Sequence, residues 1–320
     1  MAKETVNTPS IDKYFDPKAL EQIKRIDVRA RLVVEGFVTG GHRSPFNGFA
    51  VEFAAHREYA PGDDLRHIDW KVYSKTDRLY IKEYEEETNL QCHILVDCSK
   101  SMQYGAVQDG SKNRKDGKET GWSKYDYAAT AAASLGFLLQ QQQDAIGLIL
   151  FNNKIVTNLK PKSHPSHMKQ IFHELEQTKP ADKSDVADPF FRLAANIRKR
   201  GLVVLFSDLF LDPDDLAKSL NQFRLRRHEV IVFHVMHNDE LTFPFEDNTL
   251  FRGLETSAEL HTEPKALKKS YLEAVDRYME RIKKVCASAG IDHVLMDTSK
   301  PVGNVLSSYL NFRAKSRRKL

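Results

Sequence analysis

The sequence predicts an α/β protein: a mostly parallel sheet with helices on both faces, preceded by a helix and a small β-rich module. Three observations predict it. From residue 91 onward, short fully apolar runs such as 202–206 alternate with stretches whose apolar residues recur at helical spacing. That alternation is the pattern of parallel βαβ units. The chain has 320 residues, 41% of them apolar and 29% charged, enough for one large α/β domain with an appendage.

The elements follow in order. Residues 1–16 carry Thr, Asn, Pro, Ser and Asp and read as a loose leader. Over 17–38, Leu20, Ile23, Ile26, Ala30, Val33 and Val34 recur at helical spacing. Asp16-Pro17 offers a helix start and Gly40-Gly41 a stop. Residues 41–90 alternate short apolar pieces (49–53, 79–84) with turn signals such as Pro61-Gly62-Asp63-Asp64, the mark of a β-rich module. The helix and this module together span 17–90. The module's Phe49, Phe53, Trp70 and Ile81 are more apolar than so short a segment hides alone, so it is expected to pack on the main domain. Its many arginines and carboxylates read as paired surface charges.

Residues 91–312 form the α/β domain. Strands are expected at 92–96, 144–151, 155–159, 202–206, 229–235 and 292–296. Helices are expected at 125–140, 166–176, 186–199, from Asp212-Pro213, at 264–289 and at 302–313. Two stretches interrupt the rhythm: a polar loop over 103–123 and a hairpin excursion over 241–259. Residues 313–320 form a basic tail.

Composition narrows the function classes. No apolar run approaches the roughly 18–20 residues that span a bilayer, and the first residues lack the apolar core of a secretory signal. Cys92, Cys98 and Cys286 are odd in number and have no CxxC spacing, which argues against a disulfide framework and structural zinc. The expected compartment is the cytoplasm. The net charge of +4 resides in the tail, where Arg313, Lys315, Arg317, Arg318 and Lys319 meet no acid. No aromatic-basic platform accompanies it, so nucleic-acid contact is a minor alternative.

The chemistry gathers at two strand ends. The first apolar strand runs into Asp97-Cys98-Ser99-Lys100-Ser101-Met102, and a later one into Ser207-Asp208. In parallel sheets, ligand sites form beyond the carboxyl ends of the strands. One carboxylate and two hydroxyls at alternate positions, faced by a second strand-end carboxylate, make an all-oxygen donor set of the kind Mg²⁺ or Mn²⁺ prefers. Ser184 offers another hydroxyl. The plainer reading is an N-capping turn whose hydroxyls satisfy helix amides. The pairs His164/His167 and His234/His237 lack accompanying thiols or glutamates and read as loop or core histidines. Cys98 reads as a buried filler.

Asp97-x-Ser99-x-Ser101, Ser184 and Asp208 resemble the metal-ion-dependent adhesion site of von Willebrand factor A (vWA) domains, a Rossmann-type fold. The strings Gly48-Phe49-Ala50-Val51-Glu52-Phe53, Arg57-Glu58-Tyr59, Pro61-Gly62-Asp63-Asp64 and Arg66-His67-Ile68-Asp69-Trp70 precede that motif. With Phe243-Pro244-Phe245, Leu254-Glu255-Thr256 and Asp297-Thr298 after it, they resemble the bacterial family called domain of unknown function 58. The resemblance implies a vWA-like domain with an N-terminal β-rich addition. It implies direct ligation by Ser99 and Ser101, Asp97 direct or one shell out, and Ser184 and Asp208 mostly through water. It also implies association with MoxR-type AAA+ ATPases in complex assembly or chaperone-like work. The sequence departs from the pattern in carrying Ser184 where vWA domains carry Thr, with Thr178 as the fallback hydroxyl, and Gly253 where the family has Asp.

The favoured function is therefore a non-enzymatic protein-interaction module that binds a partner through a divalent ion. The competing reading is a Mg²⁺-dependent phosphohydrolase using Asp97. Against it, Ser99 stands where such enzymes place a second carboxylate.

Overall fold

The computed structural model describes residues 23, 25–39, 53–58, 70–76, 79–84, 90–105, 122–181, 197, 199–246, 249–255 and 259–317. Six strands form its main sheet: β3 (Gln91–Asp97), β4 (Ala145–Phe151), β5 (Ile155–Lys162), β6 (Leu202–Ser207), β7 (Glu229–Met236) and β10 (Asp292–Asp297). Their order is β10-β7-β6-β3-β4-β5. All neighbours are parallel except β4 and β5, which pair as an antiparallel edge. The strand order reverses at β3: β4 lies on one side and β6 on the other. The crevice above β3 and β6 is the position where open α/β sheets hold ligands.

Period-two alternation decides which helix lies where. Cys92, Ile94 and Val96 of β3 join the core under α1 (Ile26–Thr39), α3 (Lys124–Gln141), α4 (Pro165–Gln177) and α8 (Val302–Arg317). Leu95, with Val203 and Leu205 of β6, faces the other core, under α5 (Pro213–Leu225) and α7 (Pro264–Ser288). Helix α3 is buried on nearly every side. Its run of alanines lets the sheet and α1 approach it closely, which larger residues would prevent. Phe206 and Phe233 stack at 4.8 Å between neighbouring strands on this face. Gly290, at φ 67°, ends α7.

Several expectations are corrected in detail. The first helix is described from Ile26, with Ile23 and Arg25 outside it. Asp27 lies in its first turn, where it favours a helix start, and pairs with Arg25 at 2.7 Å. The Asp16-Pro17 start lies outside the described residues. In the β-rich segment, β1 (Phe53–Glu58) and β2 (Tyr80–Tyr84) pair antiparallel, while residues 49–52 lie outside the described residues. Between them α2 (Trp70–Thr76) is helical, and Trp70 is 60% exposed rather than packed. Its ring meets Tyr73 edge-on, one turn along the same helix. Helix α8 continues to Arg317, because the basic residues that read as a tail are good helix formers. The excursion after β7 is the expected hairpin, β8 (Thr249–Arg252) with β9 (Glu259–Thr262), preceded by a short helix α6 (Asn238–Thr242). The 186–199 helix, apart from Ile197 and Lys199, and most of the 103–123 loop lie outside the described residues.

His93, in the middle strand, sets one stability prediction. It is buried, its Nε2 has no hydrogen-bond partner among the described residues, and burial, then His228, lower its pKa to about 4. The folded chain keeps it neutral, whereas the unfolded chain protonates it near 6.5. Its contribution is therefore intact above pH 6.5 and is lost as pH falls toward 4. About 2 kcal/mol should disappear by about pH 5. Chemical denaturation of His93→Gln should show a correspondingly flatter stability profile between neutral and mildly acidic pH. An unchanged profile would show that other groups govern that loss.

Candidate functional site

Asp97 closes β3, and the chain turns through Cys98 and Ser99 into a short 3₁₀ segment (Lys100–Gln103). Asp97 and Ser99 are fully buried and Ser101 nearly so. Asp97 Oδ1 accepts from the Ser99 amide at 2.9 Å, and Oδ2 from the Ser207 hydroxyl at 2.7 Å. Ser207 Oγ in turn accepts from the Leu209 amide at 3.0 Å. One hydroxyl thus ties the ends of β3 and β6 together. The Ser99 amide is satisfied by the Asp97 carboxylate and not by a hydroxyl, and Ser99, at the N-cap, spends no hydroxyl on an amide. Its Oγ lies 3.0 Å from Ser101 Oγ instead.

The second strand end is held from every side. Leu209 sits in the left-handed region at φ 51°, a strained conformation for a branched side chain. Tyr278 fixes it by donating to the carbonyls of Leu209 and Leu211. His234 Nε2 donates to the Asp208 carbonyl at 2.9 Å, and its Nδ1 accepts from His293. Burial, then His293, lower the His234 pKa to about 3, so the ring is neutral and can take both roles. The strained turn leaves Phe210 71% exposed beside the crevice.

Sequence reading missed the residue that dominates the charge. Lys124 opens α3, and its side chain is 3% exposed. Its ammonium donates to Asp208 Oδ2 and to Glu240 Oε1, each at 2.8 Å. Burial alone would lower the Lys124 pKa, but Asp208 and then Glu240 outweigh it and hold the lysine charged. The Asp208 carboxyl stays below its ordinary value: burial pushes it up, and Lys124, Ser101 and the Phe210 amide outweigh that push. Asp97 moves the other way, raised to about 7 by burial first and the charge of Asp208 second. Glu240 comes from α6, and Glu255, from the β8–β9 hairpin, accepts from the Ser101 amide at 3.3 Å. Lys124 follows a stretch rich in lysines and glycines, where a lysine is normally solvated. The carboxylates gave a weak signal, Glu255 through its family-like string.

The donors gathered at the two strand ends are all oxygens, the type that small divalent cations prefer. Octahedral Mg²⁺ with bonds of about 2.1 Å has adjacent ligands about 3.0 Å apart, the separation of the Ser99 and Ser101 hydroxyls. Asp97 stands behind them, and Asp208 is near enough to Ser101 for that residue to help hold its carboxyl down. Ser184 lies outside the described residues, although the chain just before it is anchored here, with the Ala181 amide on the Cys98 carbonyl at 2.9 Å. Thr178 is turned elsewhere: its hydroxyl donates to the Glu174 carbonyl at the end of α4. Among the described residues no group of three or more His, Cys, Asp or Glu could hold a metal ion, the residues of this crevice included. His167, His234 and His237 are buried and His164 caps α4, as loop and core histidines do. Cys98 is buried with its thiol donating to the Phe151 carbonyl at 3.2 Å, and none of the three cysteines is in a disulfide.

A family model described as "Protein of unknown function DUF58" matches residues 55–281. Uncharacterized proteins of Mycobacterium bovis and of two Mycobacterium tuberculosis strains are 23% identical over 308 residues, covering 95% of this chain and 91% of theirs. Among solved structures, the conserved hypothetical protein BatB from Bacteroides thetaiotaomicron is similar at 16% identity and TM-score 0.44, covering 71% of this chain and 99% of that one. An aerotolerance-related membrane protein from Bacteroides fragilis is similar at 16% identity and TM-score 0.45, with the same coverage. The VWA domain of SpRpn10 follows at 13% identity and TM-score 0.38, covering 68% and 94%. Among the described residues no helix is long and apolar enough to cross a membrane.

Proposed function

The chain belongs to the DUF58 family, and we propose that it is a non-enzymatic, vWA-like interaction module that grips a protein partner through a divalent ion, Mg²⁺ or Mn²⁺. The observation that carries the reading is the paired Ser99 and Ser101 hydroxyls at 3.0 Å, set beside two strand-end carboxylates at the reversal of strand order. Asp97, Ser99 and Ser101 would hold the ion, with Asp208 and Ser184 reaching it through water. The ion supplies a positive, exchangeable position to which a partner's carboxylate can bond in a partly dry crevice. Lys124 keeps Asp208 charged and oriented, Ser207 fixes Asp97, and exposed Phe210 offers an apolar contact beside the polar one. The partner class that the family likeness suggests is a MoxR-type AAA+ ATPase, met in the cytoplasm.

Calorimetric titration of the metal-stripped chain with Mn²⁺ and Mg²⁺ tests the ion site. One ion should bind, and Ser99→Ala/Ser101→Ala should weaken it by at least about tenfold, as loss of supporting ligands does. Capture of the ATPase should depend on Mg²⁺ and fail in EDTA. A folded wild type that gives no heat at millimolar ion would refute the metal reading. Capture undiminished in EDTA would move the partner surface elsewhere.

A further inference from the structure

All strands of the main sheet except β5 run the same way, so the crevice occupies one end of the sheet and the strand starts occupy the other. The helices return to that second end, and it is basic. Lys199 and Arg200 sit in the turn that leads into β6, and Arg226 and Arg227 in the turn from α5 into β7; all four are exposed. The Glu229 amide donates to the Gly201 carbonyl at 3.0 Å, which sets the two turns side by side. Arg224, near the end of α5, donates to the Ser288 carbonyl at 3.3 Å and so brings up the end of α7, with exposed Lys284 one turn before it. Acids are fewer here among the described residues. Asp144 is buried, Glu280 pairs with Lys283 at 2.8 Å, the Asp292 carboxylate accepts from Tyr309, and Glu229 follows Arg227 by two positions. Lys199, Arg200, Arg226 and Arg227 make no ion pair among the described residues. Tyr309 also locates α8. Its hydroxyl meets Asp292, the first residue of β10, at 2.7 Å, so the helix has there reached the level of the strand starts. It continues to Arg317, about 12 Å further, and takes Arg313, Lys315 and Arg317 past that level.

Helix dipoles favour cations in the last turn of a helix, which accounts for Arg224. They give no reason for Leu225 and Phe312, which stand 76% and 65% exposed, the one beside Arg226 and the other beside Arg313. Projecting apolar side chains among cations suit an anionic bilayer: the apolar groups enter the boundary between headgroups and acyl chains, and the cations meet lipid phosphates. A nucleic-acid backbone would use the cations and leave Leu225 without a role. A protein interface is built around a larger apolar centre than these side chains supply. We propose that the strand-start end of the molecule is a peripheral membrane surface that docks on an anionic bilayer. Leu225 and Phe312 enter the headgroup boundary, while Lys199, Arg200, Arg226, Arg227 and the basic end of α8 hold lipid phosphates. No described helix is long and apolar enough to span the bilayer, so the chain lies on it. The crevice, at the opposite end of the sheet, then faces away from the membrane and stays open to a partner.

The test uses the full chain in EDTA, so that the ion site plays no part, and sedimentation with vesicles of phosphatidylcholine, either alone or with about a third phosphatidylglycerol. Wild type should sediment with the anionic vesicles and not with the neutral ones, and salt at about 0.5 M should release most of it. Arg226→Gln/Arg227→Gln should partition about tenfold more weakly or worse. Leu225→Ser should weaken partition several-fold and keep the salt dependence. Lys218→Gln, on the same helix but paired with Asp215, should match wild type. Each substituted side chain is exposed, and thermal melts should show the fold kept. Wild type that stays in solution with the anionic vesicles overturns the proposal, and retention on duplex DNA or polyglutamate instead would give the basic end to those partners. Vesicle binding that Arg226→Gln/Arg227→Gln and Leu225→Ser both leave unchanged overturns it as well, because the bilayer contact would then lie on another surface.

Discussion

Lys124→Met is expected to destabilise the metal-free chain by about 3–5 kcal/mol at neutral pH, the usual cost of removing one partner from a buried ion pair. For a chain of this size that is a fall in melting temperature on the order of 10 °C. Methionine matches the length and volume of the lysine stem, so packing is largely kept and the lost charge carries the effect. What remains is Asp208, whose side chain is 2% exposed, with its compensating ammonium gone and Asp97 still close enough to repel it. Glu240 is less affected, because its side chain is 25% exposed and keeps its bond from the His237 amide. Asp208→Asn should therefore rescue Lys124→Met in good part, and the cycle of single and double variants should show strong coupling. Mn²⁺ should also restore part of the loss, since an ion beside Ser101 supplies the positive charge that Asp208 lacks. Thermal unfolding of the four proteins, with and without Mn²⁺, measures all of this. A Lys124→Met variant that melts within about 2 °C of wild type would show that the triad is not what holds the two strand ends together.

The same lysine marks where the sequence stopped being legible. Strand and helix alternation from residue 91 onward was open to reading because buried parallel strands are continuous apolar runs, and 202–206 can be little else. The Asp97-x-Ser99-x-Ser101 oxygen set of the first turn was visible because its residues lie close together in the chain and follow such a run. Lys124, Glu240 and Glu255 reach the crevice from the start of a helix, a capping box and a hairpin, so only tertiary packing brings them together. Composition worked against Lys124 in particular, since a lysine beside a glycine-rich polar stretch is normally solvated. Its clue was Ser123 with Asp126, a capping box that places the helix start and turns Lys124 inward. Trp70 failed for the opposite reason. An aromatic residue among strand-like pieces suggests burial, whereas here it caps the exposed face of a two-turn helix.

Asp97→Asn should separate folding from ion binding at the centre of the site. The carboxylate is fully buried, and both burial and the neighbouring Asp208 disfavour its charge when no ion is present. An asparagine oxygen can still accept from the Ser99 amide. Its amide nitrogen then faces Ser207, whose hydroxyl already accepts from Leu209 and must turn its own proton elsewhere. One weakened hydrogen bond, worth about 1 kcal/mol, is set against one relieved repulsion, so the metal-free stability should stay within about 1 kcal/mol of wild type. Ion linkage behaves differently. Wild type should gain about 2.7 kcal/mol when the free ion reaches about 100 times its dissociation constant. Asp97→Asn should gain essentially nothing, because the remaining hydroxyls carry no charge and Asp208 is committed to Lys124 at 2.8 Å. Paired melts in EDTA and in Mg²⁺ give both numbers from one preparation. A variant that matches wild type in EDTA and fails to respond to Mg²⁺ places Asp97 on the ion. One that still shifts by the wild-type amount would assign the ion, and whatever partner it holds, to a site without Asp97.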